Sequence, residues 1–393
     1  MKKSILISMF LILVMLAAAC GQAQPSGDSG PIKIGVIYNV TGAQASIDGP
    51  SYNGAKLAEK EVNAAGGVLG RQVQIVFYDG KSDATVIGNS ATQLAETDKV
   101  VAMMGSSDSD MTLAGAPIAA KAGIVFVTSG ATSPKLPQQV PDWLFLACFG
   151  DNVQAAAGAE YMFKTLGLKT AYLLYDQGTE YTKVLSAYFK VRFAELGGQI
   201  VLEDVFQAGD KDYSAQITKL KGNATQPDFL YIGSGPDDVG TIVKQFRDSG
   251  IETPIMGGDG YDTPLLVQIA GAGSRNVYFT THSLMDKNVG SDSVKKFMAA
   301  YEAEYKTPPE VAFAGLGYDA FKLIVDAIKR AGSTDPKAIR DSLVTTKDLP
   351  GVTGTLSFVG GSRVPQKAVS VILVVDQKLT LAAEVVPEKV PAP

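Results

Sequence analysis

The sequence predicts an α/β fold made of two doubly wound lobes. Three observations support this prediction: short apolar segments alternate with longer amphipathic ones, the apolar segments are continuous, and the same order of elements occurs twice. Continuous apolar strands are typical of a parallel sheet that helices cover on both faces. Strand–helix–strand alternation is typical of a doubly wound sheet.

The first series of elements runs from residue 32 to about residue 149. Gly66 and Gly67 end its first helix, because glycine readily takes the left-handed conformation of a helix cap. The predicted elements are strand 32–38, helix 50–65, strand 73–78, helix 84–96, strand 100–104, helix 111–122, strand 124–128 and strand 143–148.

The second series runs from residue 151 to about residue 280 and repeats the pattern. Val239, Ile242, Val243 and Phe246 follow the i, i+3, i+4, i+7 spacing of one apolar helix face. The same spacing recurs near residues 321–328. The predicted elements are helix 151–166, strand 170–175, helix 179–196, strand 199–206, helix 213–221, strand 229–232, helix 237–249 and strand 254–257.

Two loops occupy equivalent places in the two series. Residues 129–132 follow the strand 124–128, and residues 257–260 follow the strand 254–257. Ligands of doubly wound sheets bind outside the carboxyl ends of the strands. The loops are therefore candidates to face each other across a cleft, with ordinary strand-to-helix turns as the alternative.

The N-terminal segment predicts export. Lys2 and Lys3 precede an apolar stretch at 5–16, and a small-residue run then ends at Cys20. This pattern is typical of a signal peptide over 1–19 and resembles a bacterial lipobox, with lipid attachment at Cys20. Ordinary signal cleavage is the alternative. Residues 20–30 predict a flexible tether, so we expect a body on the periplasmic or extracellular face of a membrane.

The composition argues against several function classes. The 35 basic and 40 acidic residues give a net charge of −5, which does not suit a nucleic-acid binder. His282 is the only histidine, and we expect it to be a surface or hydrogen-bonded residue. No nucleophile elbow or zinc-ligand set is present, so we expect no enzyme activity, no cofactor and no metal. Asp108 and Asp110 are expected to be solvated helix caps.

A few polar residues at the predicted strand ends suggest a binding site. Ser109 precedes the helix 111–122, whose N-terminus favours an anion, and Thr132 supplies a second hydroxyl. Asp259, in the opposite loop, can accept from an ammonium group. A carboxylate on one lobe and an ammonium on the other describe an α-amino acid. Such a site captures its ligand without transforming it.

Nearly the whole mature chain resembles the branched-chain-amino-acid-type solute-binding proteins of bacterial ABC importers. No single motif is specific, but their order and intervals together are. The motifs are Ile32-Lys33-Ile34-Gly35-Val36, Thr41-Gly42, Asn53-Gly54-Ala55, residues 63–70, Tyr78-Asp79, residues 105–109, Pro117-Ile118-Ala119, residues 130–134, Lys211-Asp212-Tyr213 and Gly257-Gly258-Asp259-Gly260.

The resemblance implies a type I periplasmic-binding-protein clamshell, with two Rossmann-like lobes joined by a hinge of three crossovers. Lobe 1 would be 31–149 plus 281–355, lobe 2 would be 150–280 plus 356–386, and 387–393 would be a tail. The implied protein is a monomer that delivers a small amino acid to ABC permease subunits. A stand-alone sensor of an amide, an aromatic acid or another small carboxylate is the alternative.

The resemblance also assigns site residues. It gives Ser109 to the ligand carboxylate with the loop Gly130, Ala131 and Thr132, and it gives Asp259 to the ammonium group. Tyr181 and Tyr318 match aromatic positions near the ligand, with a solvent-facing ring and a core tyrosine as the respective alternatives. Ile47 and Gly235 stand where leucine-type members have tyrosines, and Ile47 as a loop residue packed on its own lobe is the alternative.

Overall fold

A computed structural model describes residues 30–393. The predicted signal peptide, Cys20 and all of the predicted tether except residue 30 lie outside the described residues. Within residues 30–393, no helix combines the length and the apolar character that crossing a bilayer needs.

The first sheet is parallel throughout and has the strand order β2-β1-β3-β4-β5. Its five strands are β1 (Ile32–Tyr38), β2 (Val73–Asp79), β3 (Ala102–Gly105), β4 (Phe126–Thr128) and β5 (Leu144–Leu146). The helices that accompany it are α1 (Ala45–Ala64), α2 (Ala84–Gln93), α3 (Ser109–Lys121), α4 (Leu136–Gln139), α10 (Asp292–Tyr305), α11 (Ala312–Ala331) and α12 (Pro336–Val344). We call this group of elements lobe 1.

The second sheet has the order β12-β11-β10-β9-β8-β6-β7 and is antiparallel only where β11 meets β10 and β12. Its strands are β6 (Thr170–Asp176), β7 (Gln199–Phe206), β8 (Phe229–Gly233), β9 (Ile255–Gly257), β10 (Val277–Thr281), β11 (Val369–Val375) and β12 (Lys378–Val385). Its helices are α5 (Asp151–Glu160), α6 (Glu180–Glu195), α7 (Ser214–Lys221), α8 (Val239–Asp248) and α9 (Pro264–Ala270). This group is lobe 2.

The chain passes between the two lobes three times: after β5, after β10 and between α12 and β11. Few connections therefore join two separately packed sheets. The predicted fold class, two doubly wound lobes with three crossovers, is confirmed. The predicted lobe boundaries themselves stay a prediction.

Lobe 1 is packed tightly where α11 crosses α1. Phe321, Ile324 and Ile328 on the predicted apolar face of α11 are fully buried. A Cβ at Gly54 would lie 1.9 Å from the Ala314 carbonyl oxygen, and one at Gly317 would lie 1.9 Å from the Ser51 carbonyl oxygen. Only glycine allows two helix backbones to approach this closely.

The start of α1 differs from the prediction. The helix begins at Ala45 rather than at Pro50, so the proline lies inside it. The first turn is fixed by contacts from outside the helix: the buried Asp48 carboxylate accepts from the backbone N–H and the side-chain amide of Asn39, both at 2.8 Å. These contacts outweigh the cost of a proline within the helix.

The C-terminal residues, predicted as a tail, pack on lobe 2. The Asn152 amide donates to the Pro391 carbonyl oxygen at 2.9 Å, and the Glu388 backbone N–H donates to the Glu160 carboxylate at 3.1 Å. Asn152 and Glu160 both lie on α5, so the end of the chain packs against this helix.

Candidate functional site

A small cavity lies between the two lobes, with a volume of about 70 Å³. Its wall is built at the carboxyl ends of strands of both sheets, where doubly wound folds bind ligands. The lining residues are Ala43, Gln44, Ile47, Ser107, Asp108, Thr132 and Phe313 from lobe 1, and Asp176, Thr179, Tyr181, Ala208, Gly235, Pro236, Asp237, Asp238, Asp259 and Gly260 from lobe 2.

Five of the nine predicted ligand-binding residues line this cavity: Ile47, Thr132, Tyr181, Gly235 and Asp259. The loops 129–132 and 257–260 thus contribute to one site, as their equivalent places in the two lobes suggested. Contact of these five residues with a ligand stays a prediction.

The other four predicted residues do not line the cavity. Gly130 and Ala131 are backed by lobe 1, where a Cβ on Gly130 would meet the Phe313 ring at 2.8 Å. Tyr318 instead donates to Glu61 and packs on Phe297, so the core alternative describes it. Its place on α11 faces α1 and α10, away from the cleft, which the motif match did not reveal.

Ser109 also lies behind the cavity wall. Its side chain is fully buried, and its Oγ accepts from the Ser133 backbone N–H at 3.3 Å. The preceding residue takes the place at the wall: Asp108 caps α3, with its Oδ1 accepting from the Met111 backbone N–H at 2.9 Å. A carboxylate of the protein therefore occupies the helix N-terminus that the sequence offered to a ligand carboxylate.

Burial and like charges shape the acidity of Asp108. Burial is the largest effect, and with the nearby Asp110 and Asp48 it raises the pKa of Asp108 to about 7, against the opposing effect of the Met111 N–H. Asp108 was expected to be a solvated cap; it is a cap, but only 8% of it is exposed. Sequence shows capping patterns, but it does not show that a second lobe covers the cap.

In lobe 2, a network of hydrogen bonds holds Asp259. The Gln154 amide nitrogen donates to Oδ1 of Asp259 at 2.8 Å and to Oδ1 of Asp151 at 2.9 Å. The Gln154 carbonyl oxygen accepts from the Asp259 backbone N–H at 3.0 Å and from the Thr280 hydroxyl at 2.9 Å. All the hydrogen-bonding capacity of this buried amide is thus used.

His282 completes the network from β10. Its Nε2 lies 3.1 Å from Oδ2 of Asp259, and its ring stacks on Phe149. Burial lowers the pKa of His282, which outweighs the opposing effect of Asp259. The neutral ring therefore carries its hydrogen on Nε2 and donates it to the carboxylate. Of the two possibilities from sequence, a surface or a hydrogen-bonded residue, the structure gives the second.

Tyr181 fixes the loop that carries Asp259. Its hydroxyl oxygen accepts from the Gly260 backbone N–H at 3.0 Å, and the ring is largely buried, which corrects the solvent-facing alternative. Gly235 leaves open space, because a Cβ there would meet nothing within 4 Å. Ile47 lies in α1 rather than in a loop, and it contributes an apolar patch to the opposite wall.

Several hydrogen bonds join the two lobes beside the cavity. The Asp110 carboxylate accepts from the Glu180 backbone N–H at 2.9 Å, and the Thr263 hydroxyl lies 3.0 Å from the Ser46 hydroxyl. The Asp262 carboxylate accepts from the Ala312 backbone N–H at 3.1 Å. The helix α6 begins at Glu180, and Thr179 before it provides no side-chain cap. Asp110, expected to cap its own helix, therefore caps a helix of the other lobe.

Sequence reasoning missed Gln154, Asp176, Asp238 and Phe313. Phe313 follows a lobe crossover, and the others lie at ordinary strand ends and helix starts. Asp176 carried a weak signal, because an acid at the carboxyl end of an apolar strand is a candidate site residue in a doubly wound fold. For Gln154 no local pattern indicates a partner 105 residues away.

The comparisons with known proteins agree on one family. A family model described as "Periplasmic binding protein" matches residues 31–378. The Leu/Ile/Val-binding protein homolog 3 of Brucella melitensis is 29% identical over 347 residues, which cover 88% of this chain and 91% of that protein.

Two solved structures are similar over almost their whole length. One is the branched-chain amino acid transporter substrate binding protein LivJ from Streptococcus pneumoniae in complex with isoleucine, at 34% identity and a TM-score of 0.84, covering 91% of this chain and 100% of that one. The other is the leucine binding protein LivK from Thermotoga maritima, at 32% identity and a TM-score of 0.84, covering 91% and 99%. Two lobes around an interlobe cavity and the match over 31–378 lead to one conclusion: this chain belongs to the periplasmic binding protein family.

Proposed function

We propose that this protein is an extracytoplasmic solute-binding protein that captures a small amino acid, or a close derivative of one, and delivers it to an ABC permease. The observation that carries the proposal is the cavity between the lobes, with the Asp259 carboxylate held in place at one end. The relatives are named as binding proteins for leucine, isoleucine, valine or branched-chain amino acids, and these names support an amino-acid-type ligand.

Capture by this site is a matter of fixed hydrogen bonds and closure. An ammonium group of the ligand would donate a charge-assisted hydrogen bond to Asp259, whose position Gln154 and His282 already fix. Closing the lobes excludes water and strengthens this contact. Because the proposed role is binding and release, the ligand leaves chemically unchanged.

Ligand binding and lobe closure can be tested together. A thermal-shift screen of amino acids and their derivatives should find compounds that raise the melting temperature, because a ligand stabilises the folded state by RT ln(1 + [L]/Kd). Calorimetry should then give the affinity, and small-angle scattering at saturation should show a smaller radius of gyration. Absence of binding across the whole panel would overturn the proposal; a confirmed ligand with unchanged scattering would overturn closure.

Delivery to a permease separates transport from sensing. A strain that lacks the protein should lose high-affinity uptake of the identified ligand, and uptake should return with the wild-type gene but not with a variant that does not bind. Unchanged uptake together with a lost transcriptional or chemotactic response would instead support a stand-alone sensor.

We further propose that a lipid on Cys20 anchors the protein to the outer face of a bacterial membrane. The support is the run of small residues before Cys20, which follows the apolar stretch 5–16. Several acyl chains on one residue supply the stable anchoring that a single chain does not. Cys20→Ala should release a folded, ligand-binding protein from the membrane fraction. An unmodified mature N-terminus beyond residue 20 in mass spectrometry would contradict the anchor.

A further inference from the structure

The wall of the cavity carries an excess of acidic over basic groups. Five aspartates line it, and no lysine, arginine or histidine is among the described residues that do. The five are Asp108 from lobe 1 and Asp176, Asp237, Asp238 and Asp259 from lobe 2. A zwitterionic amino acid brings no net charge, so it would leave this excess in place.

Two of the five aspartates are committed to the backbone. Asp176 accepts from the Gly178 and Ala208 backbone N–H groups through one oxygen, and both oxygens of Asp238 accept from the Gly209 N–H. Their carboxylates therefore hold loops of lobe 2 in place. Asp237 is exposed at the rim. Asp259 is the acid that the proposed function gives to the ammonium group, and Asp108 is the acid that lobe 1 contributes to the wall.

Asp108 has a poor set of partners for a buried carboxylate. Its Oδ1 accepts from the Met111 N–H, the Asp110 N–H adds a smaller stabilising effect, and the Gln44 amide nitrogen lies at the long distance of 3.4 Å from its Oδ2. No basic side chain among residues 30–393 forms an ion pair with it. The titratable groups that face it are Asp110 on its own helix, Asp48 on α1, and Asp176, Tyr181, Asp237, Asp238 and Asp259 across the cavity.

A ligand carboxylate at this end would meet like charge. The Ser109 Oγ, which was expected to hold it, accepts from the Ser133 backbone N–H behind the wall, and the carboxylate of Asp108 already accepts from the first turn of α3. A ligand group with N–H donors would instead pair with the free side of Asp108. Such a group would supply the counter-charge or the donor that the protein itself does not provide.

The residues of the site limit the chemical nature of the group that Asp108 binds. No cluster of three or more histidine, cysteine, aspartate or glutamate residues in the described chain is placed to hold a metal ion, which favours an organic cation. The cavity of about 70 Å³ has room for roughly two water molecules at about 30 Å³ each, so the lobes must part further to admit a ligand of amino-acid size.

We propose that the ligand presents N–H donors, and not a carboxylate, to Asp108, so that the substrate class is small amines with a second nitrogen group: amino-acid amides and short diamines. This rests on the proposed function of the cleft and narrows it. The ammonium group still binds Asp259, and the second nitrogen group binds Asp108. The site thereby rejects the free amino acid that has the same side chain.

Matched pairs of ligands test the proposal on the full-length folded protein. L-Alanine and L-alaninamide, and L-valine and L-valinamide, differ only in carboxylate against amide. At pH 7 calorimetry should show each amide binding at least tenfold more tightly than its acid. An acid that binds as tightly as its amide or more tightly would overturn the proposal and leave the proposed function intact. If acids, amides and 1,3-diaminopropane all fail to bind, the proposed function fails too.

The pH dependence provides a second measurement. Because 1,3-diaminopropane needs the ionised form of Asp108, whose pKa is raised to about 7 by burial and the neighbouring Asp110 and Asp48, its affinity should rise by up to tenfold per pH unit from pH 6 to 7 and then level off. A ligand carboxylate would favour protonated Asp108 and reverse this slope. An affinity that is flat or falls from pH 6 to 7 would contradict the proposal.

A substitution links both results to Asp108. Asp108→Asn keeps the shape and can still cap α3 through its oxygen, but it removes the charge. It should abolish the pH slope and remove the preference for amides, while Asp376→Asn, in the exposed turn between β11 and β12, should change neither. Unchanged selectivity in a folded Asp108→Asn variant would overturn the assignment. If this variant does not fold, the wild-type pairs and the pH slope still decide.

Discussion

Asp259 and Asp108 line the same cavity from opposite lobes, and their hydrogen-bonding environments differ. Both oxygens of Asp259 hold strong partners, Gln154 and His282, and the loop around it is tied down by Tyr181. Asp108 has one firm hydrogen bond, a long contact and two acidic neighbours. The carboxylate of Asp259 is thus fixed in a position that suits a cation, whereas the carboxylate of Asp108 lacks strong partners.

This difference shows why a residue type alone does not define a site. Both aspartates follow buried strands near the start of a helix or helical turn, so their local sequences look alike. Their roles depend on the side chains that the fold places beside them: an amide and an imidazole next to Asp259, and further carboxylates next to Asp108.

The largest effect should come from Asp259. Asp259→Asn leaves the shape of the network but removes the charge that pairs with the ligand ammonium group. Removing one partner of a buried charge pair costs about 2–5 kcal/mol, so ligand affinity should fall by about 30-fold to several thousand-fold. Calorimetry on the folded variant measures it, with Asp376→Asn, in the exposed turn between β11 and β12, as the control. Wild-type affinity with a lowered melting temperature would mean that Asp259 only anchors Gln154.

Gln154 should matter mainly for stability. Gln154→Leu leaves the buried carboxylates of Asp151 and Asp259 without their shared donor, and a buried group that loses its hydrogen bond costs about 1–3 kcal/mol, or more when it is charged. The free energy of unfolding, from denaturant titration, should fall by at least that much. Gln138→Leu, at an exposed glutamine, is the matched control. An unchanged stability would show that water replaces the amide.

Particular elements show which parts of the fold can be predicted from the sequence. The strand β1 was predicted residue for residue, because a buried parallel strand is a continuous apolar segment. The bounds of β7 were also predicted correctly, although it is a half-exposed edge strand. The start of α1 was missed, because the contacts of Asp48 with Asn39 and Ser107 decide it. Local periodicity does not contain contacts of this kind.

The candidate site was predictable only in part, for the same reason. The loop of Asp259 follows from its place after a strand, a rule about doubly wound sheets. The partners of Asp259 lie on α5 and β10, and the burial of Asp108 depends on the other lobe, so each needs the folded chain. Resemblance placed Ser109 at the wall, whereas the structure places its neighbour there.

The raised pKa of Asp108 should also affect the stability of the protein in the absence of a ligand. Because the folded-state pKa of Asp108 is raised to about 7 from 3.8, chiefly by burial, the folded protein loses stability as the pH rises from 3.8 to about 7. Asp108→Asn removes this loss. It should therefore raise the free energy of unfolding by about 1–4 kcal/mol at pH 8 and by less at pH 5.

Asp83→Asn is the matched control for this prediction. Asp83 also caps a helix, accepting from the Val86 N–H at 2.9 Å, but it is exposed to solvent. Its substitution should have little effect on stability at either pH. Equal stability changes for Asp108→Asn at pH 5 and pH 8 would show that burial does not disfavour the charge of Asp108.

The smallest expected effect concerns neither end of the cavity but the tie between the lobes. Asp110 accepts from the Glu180 N–H and so caps α6 only when the lobes are closed. Loss of a cap costs about 0.5–2 kcal/mol, so Asp110→Ala should weaken binding by roughly 2- to 30-fold. Unlike substitutions at Asp108 or Asp259, it should weaken acids, amides and diamines by the same factor, because it shifts closure and not recognition. Ser46→Ala, which removes the neutral tie to Thr263, should do the same to a smaller extent. A selectivity change in the Asp110 variant would instead mean that the ligand contacts the Asp110 carboxylate. Recognition in lobe 1 would then depend on both Asp108 and Asp110.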